Sequence, residues 1–236
     1  MRYIFEFIVL FLDNITQKKN FSFIKKNVSP NFDNFFDIGF HKGETSALAN
    51  KFFKIKKIFA FEPNGQILKK INKKKFKNVV LVNKGVGKEN CVKEFNQNNF
   101  SPINSFKDFN PNARHTKFKN KILSLIYFNP SSPPNKKISI TTLEKYCNEK
   151  KIEKIDFLKI DTEGYELEVL KGLKKKISSV NLILFEHHFD KSIQKNYKFG
   201  DINKLLVKNG FKKIFKNKMI FRKIFEYIYI NQKNNF

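Results

Sequence analysis

Between residues 35 and 86 the chain alternates short apolar runs with segments of helical periodicity. Residues 35–38 (FFDI) read as a buried strand, and 43–53 as a helix with Ala47, Leu48 and Phe52 on one face. A strand over 57–61, a helix over 67–75 and a strand over 79–82 follow, the last running into the turn Lys84-Gly85-Val86-Gly87. A βαβαβ order requires right-handed crossovers and therefore a parallel sheet. The same grammar returns with a helix over 142–150, a strand over 157–160, a helix over 165–175, a strand over 181–185 and a helix over 202–208 stopped by Asn209-Gly210. Segments 211–215 and 225–230 read as a closing strand pair. The predicted fold class is α/β, with helices covering both faces of the sheet.

Two stretches stand outside this pattern. Residues 96–134 are rich in Asn, Ser and Pro, and a loop of that length inside a compact domain is usually functional or disordered. We expect it to cover the site with Ser101, Asn104 and Ser105 and to carry a short helix over 122–127. The opening MRYIFEFIVLFLD is apolar except for Arg2 and Glu6. Its apolar core over 7–12 is far shorter than the roughly 20 residues a spanning helix needs, and Asp13-Asn14 follow where a signal peptide would place small residues. We expect a buried helical extension over 1–30 ahead of a domain over 31–236. The alternative is weak membrane-surface association assisted by Lys18, Lys19, Lys25 and Lys26.

Three of the apolar runs end on a carboxylate, at Asp37, Glu62 and Asp161, each before residues able to open a helix. Open α/β sheets hold their ligands at the carboxyl edge of the strands, so the site lies there. The turn after Asp37 carries Gly39 and Gly43 but lacks the GxGxxG spacing that admits a diphosphate, and its acid suits a cationic ammonium or sulfonium better. Glu62 lies 62 − 39 = 23 residues beyond Gly39, near the roughly 20 at which a second strand supplies an acid to ribose hydroxyls. Asp161, Glu163 and Glu166 gather negative charge at a strand end and the first helical turn, where Asp161 or Thr162 would also serve as an N-cap.

Charge sets the wider chemistry. The 47 basic and 21 acidic residues give a formal net charge of +26, a field that concentrates polyanions. Only Arg2, Arg114 and Arg222 are arginines, although base-edge and phosphate recognition favours the Arg fork. Abundant Lys, Asn, Phe and Ile without Trp fit a bias towards A/T-rich codons, with a functional polyanion surface as the alternative. Cys91 and Cys147 stand apart, without metal-ligand or disulfide spacing, which suits a reducing cytoplasm.

The motifs DIGFHKGETS (37–46), FEPN (61–64), the loop residues 101–106, DFLKIDTEGYELEVLKG (156–172) and LILFEHH (182–188) together resemble the FkbM family of S-adenosylmethionine-dependent methyltransferases. The similarity covers about 33–186 and extends to the C-terminal strands. It implies a class I methyltransferase fold, a Rossmann-like doubly wound sheet that is mostly parallel with an antiparallel last strand. It also implies S-adenosylmethionine as cofactor and methyl transfer to a hydroxyl of a glycan or small-molecule acceptor, while the scarcity of arginine separately argues against a specific nucleic-acid partner. By position, Asp37, Gly39, Gly43 and Ser46 would hold the methionine end and Glu62 the ribose. Ser105 would lie over the site, and Asp161, Glu163 and Glu186 would face the sulfonium and acceptor. Phe40-His41 replace the family's usual Ala-Asn, with His41 able to donate a hydrogen bond. Asp161, Glu186 and His188 are the candidate general bases, and the same acids with a histidine form an alternative divalent-metal set. The rival readings are a nicotinamide-dependent oxidoreductase, which lacks its glycine pattern here, and a non-catalytic basic module, which needs no strand-end acids.

Overall fold

The computed structural model describes residues 2–95, 106, 136–190, 193–220 and 222–234. Helix α1 (Arg2–Asn27) leads into β1 (Asn31–Ile38), α2 (Glu44–Phe52), β2 (Lys54–Phe61), α3 (Gly65–Lys69) and β3 (Val79–Val82). The short strands β4 (Gly85–Val86), β5 (Cys91–Phe95) and β6 (Lys136–Thr141) come next. They are followed by α4 (Leu143–Glu149), β7 (Ile155–Ile160), α5 (Glu166–Lys171), β8 (Val180–His188), α6 (Phe199–Lys208), β9 (Phe211–Lys218) and β10 (Ile224–Asn231).

Seven strands form the main sheet in the order β3-β2-β1-β7-β8-β10-β9. Pairings from β3 through β8 are parallel, and β10 inserts antiparallel between β8 and β9. This is the mostly parallel sheet with an antiparallel last strand. Alternation along each strand divides the core between two faces. Phe36 and Ile38 point with Leu158, Ile160, Ile183 and Phe185 towards α4, α5 and α6. Phe35, Phe157, Leu182 and Leu184 point towards α1 and α2, where Phe21, Ile24, Leu48 and Ala49 cover them. The Phe21 ring meets those of Phe53 and Phe157 edge-on, at centroid distances of 5.2 and 6.2 Å. Helix α1 is thus one of the layers of the sheet, with Lys18, Lys19, Lys25 and Lys26 exposed on its outer side. Among the described residues, no helix is long and apolar enough to cross a membrane.

Several expected elements differ in extent. The helix expected over 67–75 stops at Lys69, and a separate 3₁₀ turn occupies Lys73–Lys75. Asn72 accepts from the Lys74 N–H through its side chain and from the Lys75 N–H through its carbonyl, diverting both from helical pairing. The helix expected over 165–175 ends at Gly172, which packs so close to Gly87 that an added Cβ would lie 2.0 Å from the Gly87 carbonyl oxygen. The second sheet, β4-β6-β5, was not expected. Its strands are two to six residues long, and β5 and β6 carry Lys93, Lys136 and Lys137, so their alternation is weak. The helix expected over 122–127 lies outside the described residues.

Candidate active site

The carboxyl ends of β1, β2 and β7 are joined by backbone hydrogen bonds. The N–H groups of Gly39 and Phe40 both donate to the Phe61 carbonyl at 3.0 Å, and that of Asp161 donates to Ile38 at 2.9 Å. Gly39 has φ +90°, and a Cβ there would lie 1.8 Å from the Asp161 carbonyl oxygen, so only glycine lets the first turn pass this close to β7. His41 follows in the left-handed region at φ 51°, which Asn, Asp and His occupy more readily than other side chains. That conformation aims its N–H at Glu62. Phe40 is buried against Phe76, at a ring distance of 5.5 Å.

Glu62 accepts 2.9 Å from the His41 N–H on one oxygen and 2.8 Å from the Asn64 N–H on the other. Burial pushes this carboxyl up, and the two amide donors hold it back. Asp37 is fully buried. It accepts 2.6 Å from the Ser46 hydroxyl and lies 3.6 Å from Lys159 Nζ, which also sits 3.1 Å from Asp161. Burial raises the Asp37 carboxyl while Lys159 and Ser46 oppose the rise. Burial alone would discharge Lys159, but Asp161 and Asp37 outweigh it and raise the ammonium, which stays cationic.

At the end of β8 the charges are denser. His188 Nε2 lies 2.7 Å from Glu186 and 3.3 Å from Glu163, and its Nδ1 lies 3.8 Å from Asp190. Burial would drive this imidazole neutral, yet Glu163, Asp190 and Glu186 raise it well above its ordinary value. Burial, Lys195 and His188 together push the neighbouring His187 down to about 3, so the adjacent histidines hold opposite charge states at neutral pH. Burial, with Asp161 adding to it, lifts Glu186 to about 7 against the pull of His188. Ligand atoms of Glu163, Glu186 and His188 all lie within 4.8 Å of one another. With His188 as an imidazolium that triad is an ion-pair cluster, whereas a cation would need the neutral ring. Across the strand pairing, Glu226 opposes Glu186. Gln17 and Asn20 of α1 both donate to it, the Asn20 bond measuring 2.5 Å. Burial and Glu186 raise Glu226 to about 8.

One cavity runs along this edge, and Gly39, His41, Glu62, Asp161, Glu163 and Glu186 all line it. Asp37, Gly43, Ser46 and His188 are not among its lining residues and stand behind those that are. Ser105, Ser101 and Asn104 lie outside the described residues, although Phe106 of the same loop lines the cavity and packs on Phe95 and Tyr165. Sequence reasoning missed Lys159, whose signal was a lysine inside the apolar run IDFLKI, and the cavity residues Asp13, Gln17 and Arg222. Arg222 carried a faint signal as one of three arginines in a lysine-rich chain.

A profile of the methyltransferase FkbM domain matches residues 37–213. No curated protein matches the chain. Among solved structures, the chain is similar to methyltransferase FkbM from Methylobacillus flagellatus KT, at 13% identity and a TM-score of 0.55, over 87% of this chain and 45% of that one. It is also similar to TrmK from M. capricolum, solved with S-adenosyl-homocysteine, at 12% identity and a TM-score of 0.50, over 92% of this chain and 69% of that one. Both likenesses are of fold, and this chain spans less than half the length of the first protein.

Proposed function

The chain belongs to the FkbM methyltransferase family, and from that premise we propose that it transfers the methyl group of S-adenosylmethionine to a hydroxyl of a glycan or small metabolite. The observation that carries this reading is Glu62. Its two oxygens are fixed by backbone N–H groups from the β1 and β2 turns while it lines a cavity that continues to Asp161, Glu163 and Glu186. A carboxylate oxygen accepts more than one hydrogen bond, so each retains capacity for a ribose hydroxyl.

The residues fit the cofactor. Among the described residues six carboxylates line the cavity, those of Asp13, Glu44, Glu62, Asp161, Glu163 and Glu186, against three lysine and arginine side chains, Lys84, Lys159 and Arg222. This local excess of acid, inside a protein of net charge +26, favours a cation over a phosphate. Glu62 would hold the ribose, and the Gly39-His41 turn the methionine end. Asp37 would act from behind, through Ser46 and Lys159. When bound, S-adenosylmethionine supplies a methyl group already activated for displacement.

The protein's own work is alignment and proton removal. Holding an acceptor oxygen in line contributes roughly 7 to 11 kcal/mol when the geometry is good. Glu186, lifted to about 7, is poised to take the hydroxyl proton near neutral pH. Both acids have a cationic neighbour, Lys159 at 3.1 Å from Asp161 and His188 at 2.7 Å from Glu186, and it is the raised Glu186 carboxyl that makes it the better placed of the two.

Calorimetry with S-adenosylhomocysteine tests the cofactor half of this reading. Wild type is expected to bind at micromolar affinity. Glu62→Ala should weaken binding by about 1.5 to 3 kcal/mol, the usual range for hydrogen bonds to a charged group, or roughly 10- to 150-fold. Binding of NADH in place of adenosylhomocysteine would refute the assignment.

A further inference from the structure

We infer that the far end of the cavity, walled by Asp13, Asn14 and Gln17 of α1 and by Met219 and Arg222 between β9 and β10, is the acceptor subsite, and that it reads vicinal hydroxyls on an uncharged ring. The inference rests on the methyltransferase reading above and adds where, and by which groups, the acceptor is held.

The order of the strands separates two ends of the cavity. Gly39, His41 and Glu62 follow β1 and β2, whereas Glu186 closes β8. Strand β10 runs antiparallel to β8 with Ile224 opposite His188, so the residues just before Ile224 lie at the same edge as Glu186. Met219 and Arg222 therefore stand beyond the acids, on the side away from Glu62. Helix α1 completes this wall and is firmly docked. Besides the bonds from Gln17 and Asn20 to Glu226, Asn217 donates at 3.1 Å both to the Thr16 carbonyl and to Asn20 Oδ1.

The chemistry of the wall calls for hydroxyl donors. Gln17 is 92% buried and lines the cavity, yet among the described residues its Oε1 has no hydrogen-bond partner. An acceptor left in that state asks for an O–H or N–H from a ligand. Arg222 Nη2 donates to Asp13 Oδ1 at 2.6 Å, which places a carboxylate and a guanidinium side by side. One accepts from a hydroxyl while the other donates to its neighbour, the complement of two adjacent hydroxyls on a ring. Asp13 is itself lifted to about 6, by burial above all and by Asp161 and Glu163 as well, although Arg222 pulls the other way. A phosphate would add charge beside Asp13, Asp161, Glu163 and Glu186, and among the described residues only Arg222 and Lys159, the latter already engaged by Asp37 and Asp161, line that end as cations, so a phosphorylated acceptor is disfavoured.

The test is saturation-transfer NMR and calorimetry on the full chain saturated with adenosylhomocysteine, using methyl glycosides of neutral hexoses and the matching hexose phosphates as probes. At least one neutral glycoside is expected to bind with a Kd of about 1–10 mM, and the phosphates at least 10-fold more weakly. Asp13→Asn and Arg222→Lys should each weaken glycoside binding at least 10-fold and leave adenosylhomocysteine affinity within 2-fold. Gln17→Leu, which removes the unpartnered acceptor, should act in the same direction. The subsite is overturned if no neutral glycoside binds, if phosphates bind more tightly, or if the variants bind glycoside like wild type. Failure of adenosylhomocysteine itself to bind is a separate result, which removes the methyltransferase reading along with the subsite.

Discussion

Lys159→Met is expected to cost about 3–5 kcal/mol of folding stability, the range for removing one partner of a buried ion pair. Its ammonium lies 3.6 Å from Asp37 and 3.1 Å from Asp161, and only 3% of the Lys159 side chain and none of Asp37 is exposed. Methionine fills much the same volume, so the loss reports charge rather than a cavity. The pH dependence follows from the same pair. Without Lys159 the folded Asp37 carboxyl, already raised by burial, rises further. A group raised in the folded state contributes stability that is present below its unfolded value and lost as pH rises through its folded one. The mutant should therefore lie closest to wild type in acid and fall away towards pH 8. Asp37→Asn added to Lys159→Met removes the stranded carboxylate and should recover most of the loss. Urea unfolding of the four proteins at pH 5 and pH 8 measures the cycle. A single-mutant loss below about 1 kcal/mol at pH 8 would mean that the pair is solvated and structurally unimportant.

That lysine also marks where the sequence stopped being readable. The strand-end acids at Asp37, Glu62 and Asp161 located the site because three apolar runs repeat one ending, and repetition survives ignorance of register. The facing of each acid was harder. Asp37 shares its side of β1 with Phe35, so period-2 alternation directs it into the layer under α1 and α2. An acid on a core face needs a cation, and the one it has is Lys159, its register partner on β7. Finding that pair needed the strand order, which places β7 beside β1 although more than a hundred residues separate them. Glu62 could be read more directly, since both donors to its oxygens lie in the adjoining turns. The contribution of α1 was least visible. Asp13, Gln17 and Asn20 look like the polar face of an ordinary helix, and only the antiparallel insertion of β10 brings Glu226 and Arg222 to meet them.

Methyl transfer should depend most steeply on Glu186. Replacing it with Gln is expected to lower the rate about 10²- to 10⁴-fold, the size of a lost general base, with adenosylhomocysteine affinity nearly unchanged because Glu62 and the Gly39 turn are intact. A base must be ionised to act. In wild type the rate should climb through an acid limb centred near pH 7, where burial and Asp161 place the Glu186 carboxyl, and level off above it. Glu186→Gln should lose that limb. Asp161→Asn offers the sharper comparison, because it removes a negative charge that raises Glu186 and should move the limb to lower pH. Were Asp161 the base instead, its amide would abolish the limb and Glu186→Gln would only displace it. Release of adenosylhomocysteine, followed from pH 5 to 9 with any acceptor that supports turnover, separates these outcomes. A chelator supplies the remaining control on the Glu163, Glu186 and His188 cluster: activity lost to EDTA and restored by Mg²⁺ or Mn²⁺ would reassign Glu186 from proton acceptor to metal ligand. Unchanged activity in EDTA, together with a limb that follows Glu186 alone, would leave its carboxylate as the group that takes the acceptor's proton.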